Sequence, residues 1–152
     1  MNSFPTIWNV LHDGSIVKAN GSVPGTVKLD VDIQYLRERF KDPGGMIHLT
    51  LVGCTRFAYR DYEDKELNKD FITDLSAIAA IELQILSAEM LGGLANITCH
   101  RAHGQGGELE VEAADVTLAL DGGRIITLEE LIQVANGYWE DFRARCKVAY
   151  PR

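Results

Sequence analysis

Apolar and polar residues alternate over most of this chain, at the two-residue period of half-buried strands. Val27, Leu29, Val31 and Ile33 alternate with Lys28, Asp30 and Asp32, so one face is buried and the other wetted. Residues 4–12 are rich in strand formers and run into Asp13-Gly14, a tight-turn pair. They predict a first strand, with residues 16–19 returning antiparallel. Asn20-Gly21 and Pro24-Gly25 mark a second turn region, and residues 35–40 predict a short helical turn closed by Asp42-Pro43-Gly44-Gly45. From 46 to 60, Ile47, Leu49, Leu51, Phe57 and Tyr59 share one parity. A straight strand of that length would span ~50 Å, against a radius of gyration of ~15 Å for a domain of this size. The run must therefore bend or split, and Gly53 is the expected place.

Residues 61–70 read as a charged loop. Residues 77–90 contain good helix formers followed by Gly92-Gly93, yet Ile81, Leu83 and Ile85 alternate with Glu82 and Gln84 as a strand would. The pattern is read as a short helix over 74–80 and a strand over 81–89. A hairpin follows: Ala95, Ile97 and Cys99 on one parity, a turn at Gly104-Gln105-Gly106-Gly107, then Leu109 and Val111 between Glu108, Glu110 and Glu112. The apolar parity then switches to Val116, Leu118 and Leu120, which predicts a bulge over 113–115. Asp121-Gly122-Gly123 turns the chain into Ile125-Ile126. Thr127 and Glu130 have the spacing of a capping box. Behind them Leu128, Leu131, Ile132, Ala135, Tyr138, Trp139, Phe142 and Cys146 form a helical stripe that must pack on the sheet. The expected fold is one mainly β (α+β) domain over 1–152. About seven to nine mostly antiparallel strands form a sandwich or curved sheet, packed by one C-terminal helix.

The chain has 152 residues, 46% hydrophobic and 24% charged, which excludes collagen-like, disordered and disulfide-scaffold classes. No apolar run approaches the ~18 residues of a membrane span. Residues 1–9 lack a basic region followed by an apolar stretch, so no secretory leader is expected. Cys54, Cys99 and Cys146 form no Cys-x-x-Cys pair, and reduced thiols in a cytoplasmic protein are expected. The net charge of −7 is uneven: residues 1–60 carry +2, residues 61–140 carry −12 and residues 141–152 carry +3. An acidic middle repels phosphate backbones, so the partner is expected to be a basic protein, with neither nucleic acid nor membrane involved. Its commoner reading is a set of solvated strand faces.

Trp8 with His12-Asp13-Gly14, then Ser87-Ala88-Glu89, Asp121-Gly122-Gly123, Leu128-Glu129-Glu130-Leu131 and Tyr138-Trp139 together resemble a group of small bacterial β-rich proteins of unknown function, some of them immunity-protein-like. The resemblance implies a bacterial β-rich domain and carries no catalytic residues.

Candidate chemistry is sparse. Cys99, His100 and His103 are the densest metal-type cluster, but neighbours on a strand point to opposite faces, while zinc needs three or four converging ligands. The expectation is a buried Cys99, a surface His100 and His103 at a hairpin tip, with no metal or cofactor. His12 and Asp13 are an acid–base pair in composition only, since adjacent residues on an extended segment face apart. Asp61, Glu63, Asp64 and Glu66 lack the glycine and bidentate acid of a calcium loop. Trp139 and Tyr138 are interface-type aromatics that more often belong to a core. His12, Asp13, His48, Arg101 and Trp139 are the binding candidates. The leading reading is a non-enzymatic interaction module of immunity or accessory type. The alternatives are a ligand-binding or enzyme domain with a pocket near His12, His48, His100 or Arg101, and a structural protein that self-associates into a homodimer through an edge strand.

Overall fold

The computed structural model describes residues 4–63, 66–67, 70–102 and 105–149. The elements run α1 (Phe4–Val10), β1 (Ser15–Gly21), β2 (Gly25–Asp32), α2 (Gln34–Arg37), β3 (Met46–Cys54), β4 (Arg56–Glu63), β5 (Glu66–Leu67), α3 (Leu75–Ile81), β6 (Leu83–Leu91), β7 (Leu94–His100), β8 (Gly106–Glu112), β9 (Asp115–Leu120), β10 (Ile125–Ile126) and α4 (Leu128–Ala149). Every strand pairing is antiparallel. β5 and β10 are two-residue ends, so the full-length strands fall within the expected number.

By neighbours, the sheet runs β10-β9-β3-β2-β1-β6-β7-β8-β4-β5. The chain itself ties the two halves together. β3 passes into β4 across Thr55 alone, and β8 into β9 across Ala113 and Ala114. These two long stretches stay side by side through both breaks. β3 pairs with β9 and β4 with β8. Between them the Thr55 N–H donates to the Glu112 carbonyl and the Ala114 N–H to the Val52 carbonyl, each at 2.9 Å. A ladder that leaves β3 through β2, β1, β6, β7 and β8 therefore arrives at β4, the continuation of the strand it left. The sheet is coiled around one core, with β10 and β5 at its ends. Val27, Leu29, Val31, Ile47, Leu49, Leu51, Ile97, Leu109 and Val111 all point into that core and are fully buried. Gly53 makes the bend, as its position predicts, with φ at +61°. The parity switch falls at the second break, where the other long stretch bends beside it.

The helix over 74–80 and the following strand appear as expected. The Asp74 carboxylate accepts the Ala77 N–H at 3.2 Å, and Glu82 ends α3 in the left-handed region. Three expectations change. The strand expected over 4–12 is instead the helix Phe4–Val10 followed by a turn: Phe4, Ile7, Trp8 and Leu11 are buried together at helical spacing, which outweighs their strand propensity. Asn9 ties α1 to β6, its side chain donating to the Ala88 carbonyl at 3.1 Å and accepting the Ala88 N–H at 2.9 Å. The charged loop over 61–70 contains the end of β4 and all of β5. α4 packs beside α1 and α2, and through Leu131 and Ala135 it joins the core that the sheet encloses. Thr127 Oγ1 caps it by accepting the Glu130 N–H at 3.1 Å, but the Glu130 carboxylate turns to Arg124, 3.6 Å away, instead of closing the box. Leu131 and Ala135 are buried, whereas every residue from Asp141 to Lys147 is exposed, so the last part of the stripe lies bare. No described helix is long and apolar enough to cross a membrane.

Close approach at Gly107 reports on the tightness of the coil. A Cβ there would run into the Arg60 carbonyl oxygen and lie 2.5 Å from the Tyr59 hydroxyl, whereas Gly45 has open space. Gly107→Ala is expected to lower unfolding stability by ~1–3 kcal/mol, and Gly45→Ala to stay within ~0.5 kcal/mol, both read from denaturant midpoints.

Candidate functional site

The candidate residues separate into distinct places. His48 lies on the outward parity of β3, beside β2 and the end of β9. Its Nδ1 is 2.7 Å from Asp30 Oδ1 and its Nε2 is 2.5 Å from Asp121 Oδ1. The second Asp121 oxygen accepts the Gly45 N–H at 2.6 Å and the Met46 N–H at 3.1 Å. Behind it the buried Arg37 guanidinium lies 3.8 Å away and donates to the carbonyls of Met46, Asp42 and Pro43. Two carboxylates only accept, so His48 donates from both nitrogens and is held as imidazolium. Desolvation pulls its pKa down, but the bonds to Asp30 and Asp121 outweigh that and raise it above the ordinary value. Asp121 is likewise favoured by desolvation to stay neutral, and its bonds to His48, Met46 and Gly45 hold it below the usual carboxylate range. With both nitrogens occupied, His48 has no lone pair for a general base or a metal. It is an ionic clasp that fastens β2, β3 and the 121–123 turn.

His12, Asp13 and Trp139 do come together, at the corner where α1 ends and α4 passes. The sequence puts His12 and Asp13 on opposite sides of a strand. The structure places them just past a helix end, with Asp13 at φ +70°, so Asp13 Oδ2 comes to 3.9 Å from His12 Nε2. The His12 ring stacks on Trp139, centroids 5.5 Å apart and planes 12° apart. Its Nδ1–H donates to the Asn9 carbonyl at 2.8 Å, and the Tyr35 hydroxyl donates to the His12 carbonyl at 2.8 Å. Burial, with Asp13 and Tyr138 nearby, pushes the Tyr35 phenol far up and keeps it a donor. Asp13 lies on the Nε2 side but beyond hydrogen-bond distance, so it does not orient the ring as the partner of a general base would. Tyr138 and Phe142 extend this corner into an aromatic surface, with Phe142 exposed.

The remaining candidates are apart. Cys99 is buried and His100 points outward, as alternation predicts. Burial pushes the Cys99 thiol up to about 12, the wrong direction for a nucleophile. Cys54 is raised by the same cause. His103 lies outside the described residues. Among the described residues no three or more His, Cys, Asp or Glu side chains are placed to hold a metal ion. Arg101 Nε is 2.8 Å from Asp61, which also accepts from Tyr59 at 2.8 Å. Asp61 is thus committed, while Asp64 lies outside the described residues.

Two features were not anticipated. On the outer face of β4 and β8, Arg56 reaches Glu110 at 3.0 Å and Arg60 reaches Glu108 at 3.4 Å, and both guanidiniums flank the Phe71 ring. The alternation of Glu108, Glu110 and Glu112 was the available signal, but the arginines opposite them depend on register. The second is a groove of about 620 Å3, lined by residues 19–23, 55–58 and 73–76. None of His12, His48, His100 or Arg101 lines it, so the pocket expected around those residues is not the one found.

No protein-family model, curated protein or solved structure matches the chain.

The clasp has a definite pH signature. A histidine raised in the folded state contributes stability that is complete below its unfolded value, about 6.5, and is lost as pH rises through the higher folded value. Asp121, lowered by folding, contributes above about pH 4 and loses that contribution as pH falls. The stability gap between the wild type and His48→Gln is therefore expected to be widest at about pH 5–6 and to narrow by about pH 9. Denaturant unfolding at both pH values measures it. An equal gap at both, or a wider one at high pH, contradicts the imidazolium assignment.

Proposed function

We propose that this protein is a non-enzymatic interaction module, of immunity or accessory type, that meets a basic partner protein with an acidic sheet face. One observation carries the reading. The registers of β6, β7, β8 and β4 set Glu89 beside Asn96, Asn96 beside Glu110, Thr98 beside Glu108, and Glu112 beside Arg56. Four glutamates and two arginines thus share one outward face, and the arginines are already held by Glu108, Glu110 and Phe71. Glu89 and Glu112 are exposed on it.

Side chains fixed on a paired sheet lose little further freedom on binding, which favours a docking surface over a flexible tail. Opposite charge on a partner would speed encounter and select against acidic competitors. The chemistry of the titratable groups supports the same reading: both buried thiols are pushed away from ionisation, and His48 is occupied at both nitrogens. Three free cysteines fit a reducing compartment.

Immobilised wild-type protein and the Glu89→Gln/Glu112→Gln double variant, exposed to an extract of the source cells, test the proposal. The expected result is a basic protein retained by the wild type, released as salt rises from about 50 to 500 mM, and retained several-fold less by the variant. Equal retention by both, or retention indifferent to salt, would rule out the acidic face.

A further inference from the structure

The groove has an edge that the chain begins to fill and then abandons. Tyr59 in β4 turns its main chain away from β8: its N–H donates to the Ile72 carbonyl at 2.9 Å, and its carbonyl accepts the Ile72 N–H at 2.7 Å. In an antiparallel strand these directions repeat every second residue. Phe57 therefore aims its N–H and carbonyl the same way as Tyr59. No described residue stands opposite it as Ile72 stands opposite Tyr59. The chain leaves the edge of β4 after Ile72, because Asp74 starts α3 two residues later. The β4–β8 register runs without a shift from Arg56 to Asp61, so this alternation is unbroken along β4.

That vacated position faces the groove. Across it lies the end of β1 with the β1–β2 turn, residues 19–23, and its end is formed by residues 73–76. β1 pairs with β6 only at Ser15 and Ile16, and α3 packs against β1, so the open strand edge that the groove offers is that of β4. The volume of about 620 Å3 falls within the roughly 300–1,000 Å3 of ordinary ligand clefts.

The lining says what kind of ligand fits. Its two charged side chains are committed, Arg56 to Glu110 and Phe71, and Asp74 to the cap of α3. The Thr55 hydroxyl is also engaged, by Glu112, so what remains to offer is main chain, the Asn20 carboxamide and the hydroxyls of Ser22, Thr73 and Ser76. A charged small molecule would find only charged side chains that are already engaged, whereas an extended backbone would find the N–H and carbonyl of Phe57.

The geometry points to a peptide-binding groove: an uncharged, extended segment of a partner protein adds itself to β4 at Phe57, in line with the strand that Ile72 begins. The groove adjoins the acidic face at Arg56, but no glutamate lines it, so peptide addition to β4 does not depend on that face.

The test uses the full chain and a display library of uncharged peptides of about six residues, a common strand length. Selected peptides are expected to shift the amide resonances of Phe57 and of residues 19–23, and to slow exchange of the Phe57 amide. N-methylation of the selected peptide on alternate residues is then expected to weaken binding about tenfold in one parity and hardly at all in the other. Ser76→Trp, at an exposed position of α3, is expected to abolish binding while leaving circular dichroism unchanged. The proposal is overturned if no selected peptide perturbs Phe57, if both N-methyl parities behave alike, or if a folded Ser76→Trp protein binds as before. Loss of the salt-sensitive partner in the Glu89→Gln/Glu112→Gln experiment would leave these results untouched, so the two readings fail separately.

Discussion

The fold depends on a single ribbon that has to bend without coming apart. β3–β4 and β8–β9 are two long stretches of chain, too long to lie straight in a domain of this size, and they turn the corner as a pair. Gly53 in the left-handed region supplies the change of direction. The bonds from Thr55 to Glu112 and from Ala114 to Val52 keep the ladder satisfied while the direction changes. Buried main-chain groups without partners are costly, so this pairing is what allows the sheet to coil around one core instead of splitting into two. Everything placed on the outside, including the acidic rows, the His48 clasp and the groove beside β4, takes its position from that bend.

Charge looks segregated along the chain and is largely reconciled in space. The arginines of the first sixty residues sit against acids from later in the sequence: Arg37 by Asp121, Arg39 by Asp141, Arg56 by Glu110 and Arg60 by Glu108. Exposed pairs of this kind contribute only ~0–1 kcal/mol each, so their main effect is to fix side chains and to leave a defined remainder of acidity. Arg37 is different. It is buried and donates to three carbonyls of the 42–46 turn, so it holds the segment that delivers Gly45 and Met46 to Asp121.

Local pattern revealed the elements well where one period dominated. Alternation marked β2, β3, β7 and β8, and the length of the 46–60 run demanded a bend where Gly53 stands. It failed at residues 4–12, because Phe4, Ile7, Trp8 and Leu11 are strand formers whose helical spacing matters only once there is a sheet to cover. It failed again for α4, whose stripe is apolar to Cys146 although cover ends before Asp141. The site was less legible still. His48 was visible as a residue, but Asp30 and Asp121 reach it only through the registers of β2 with β3 and β3 with β9. The His12–Trp139 stack joins opposite ends of the chain, and the free edge at Phe57 is a property of hydrogen-bond parity that no side-chain pattern records.

Amide hydrogen exchange at Thr55 and Ala114, read residue by residue, tests the central claim most directly. If the two stretches form one continuous bent ribbon, both amides exchange as slowly as those of Leu49 and Leu109 in the flanking strands, because opening the corner requires opening the core. Rapid exchange at both, beside protected strands on either side, would mean that the halves of the sheet are separate and that the coil described here does not exist.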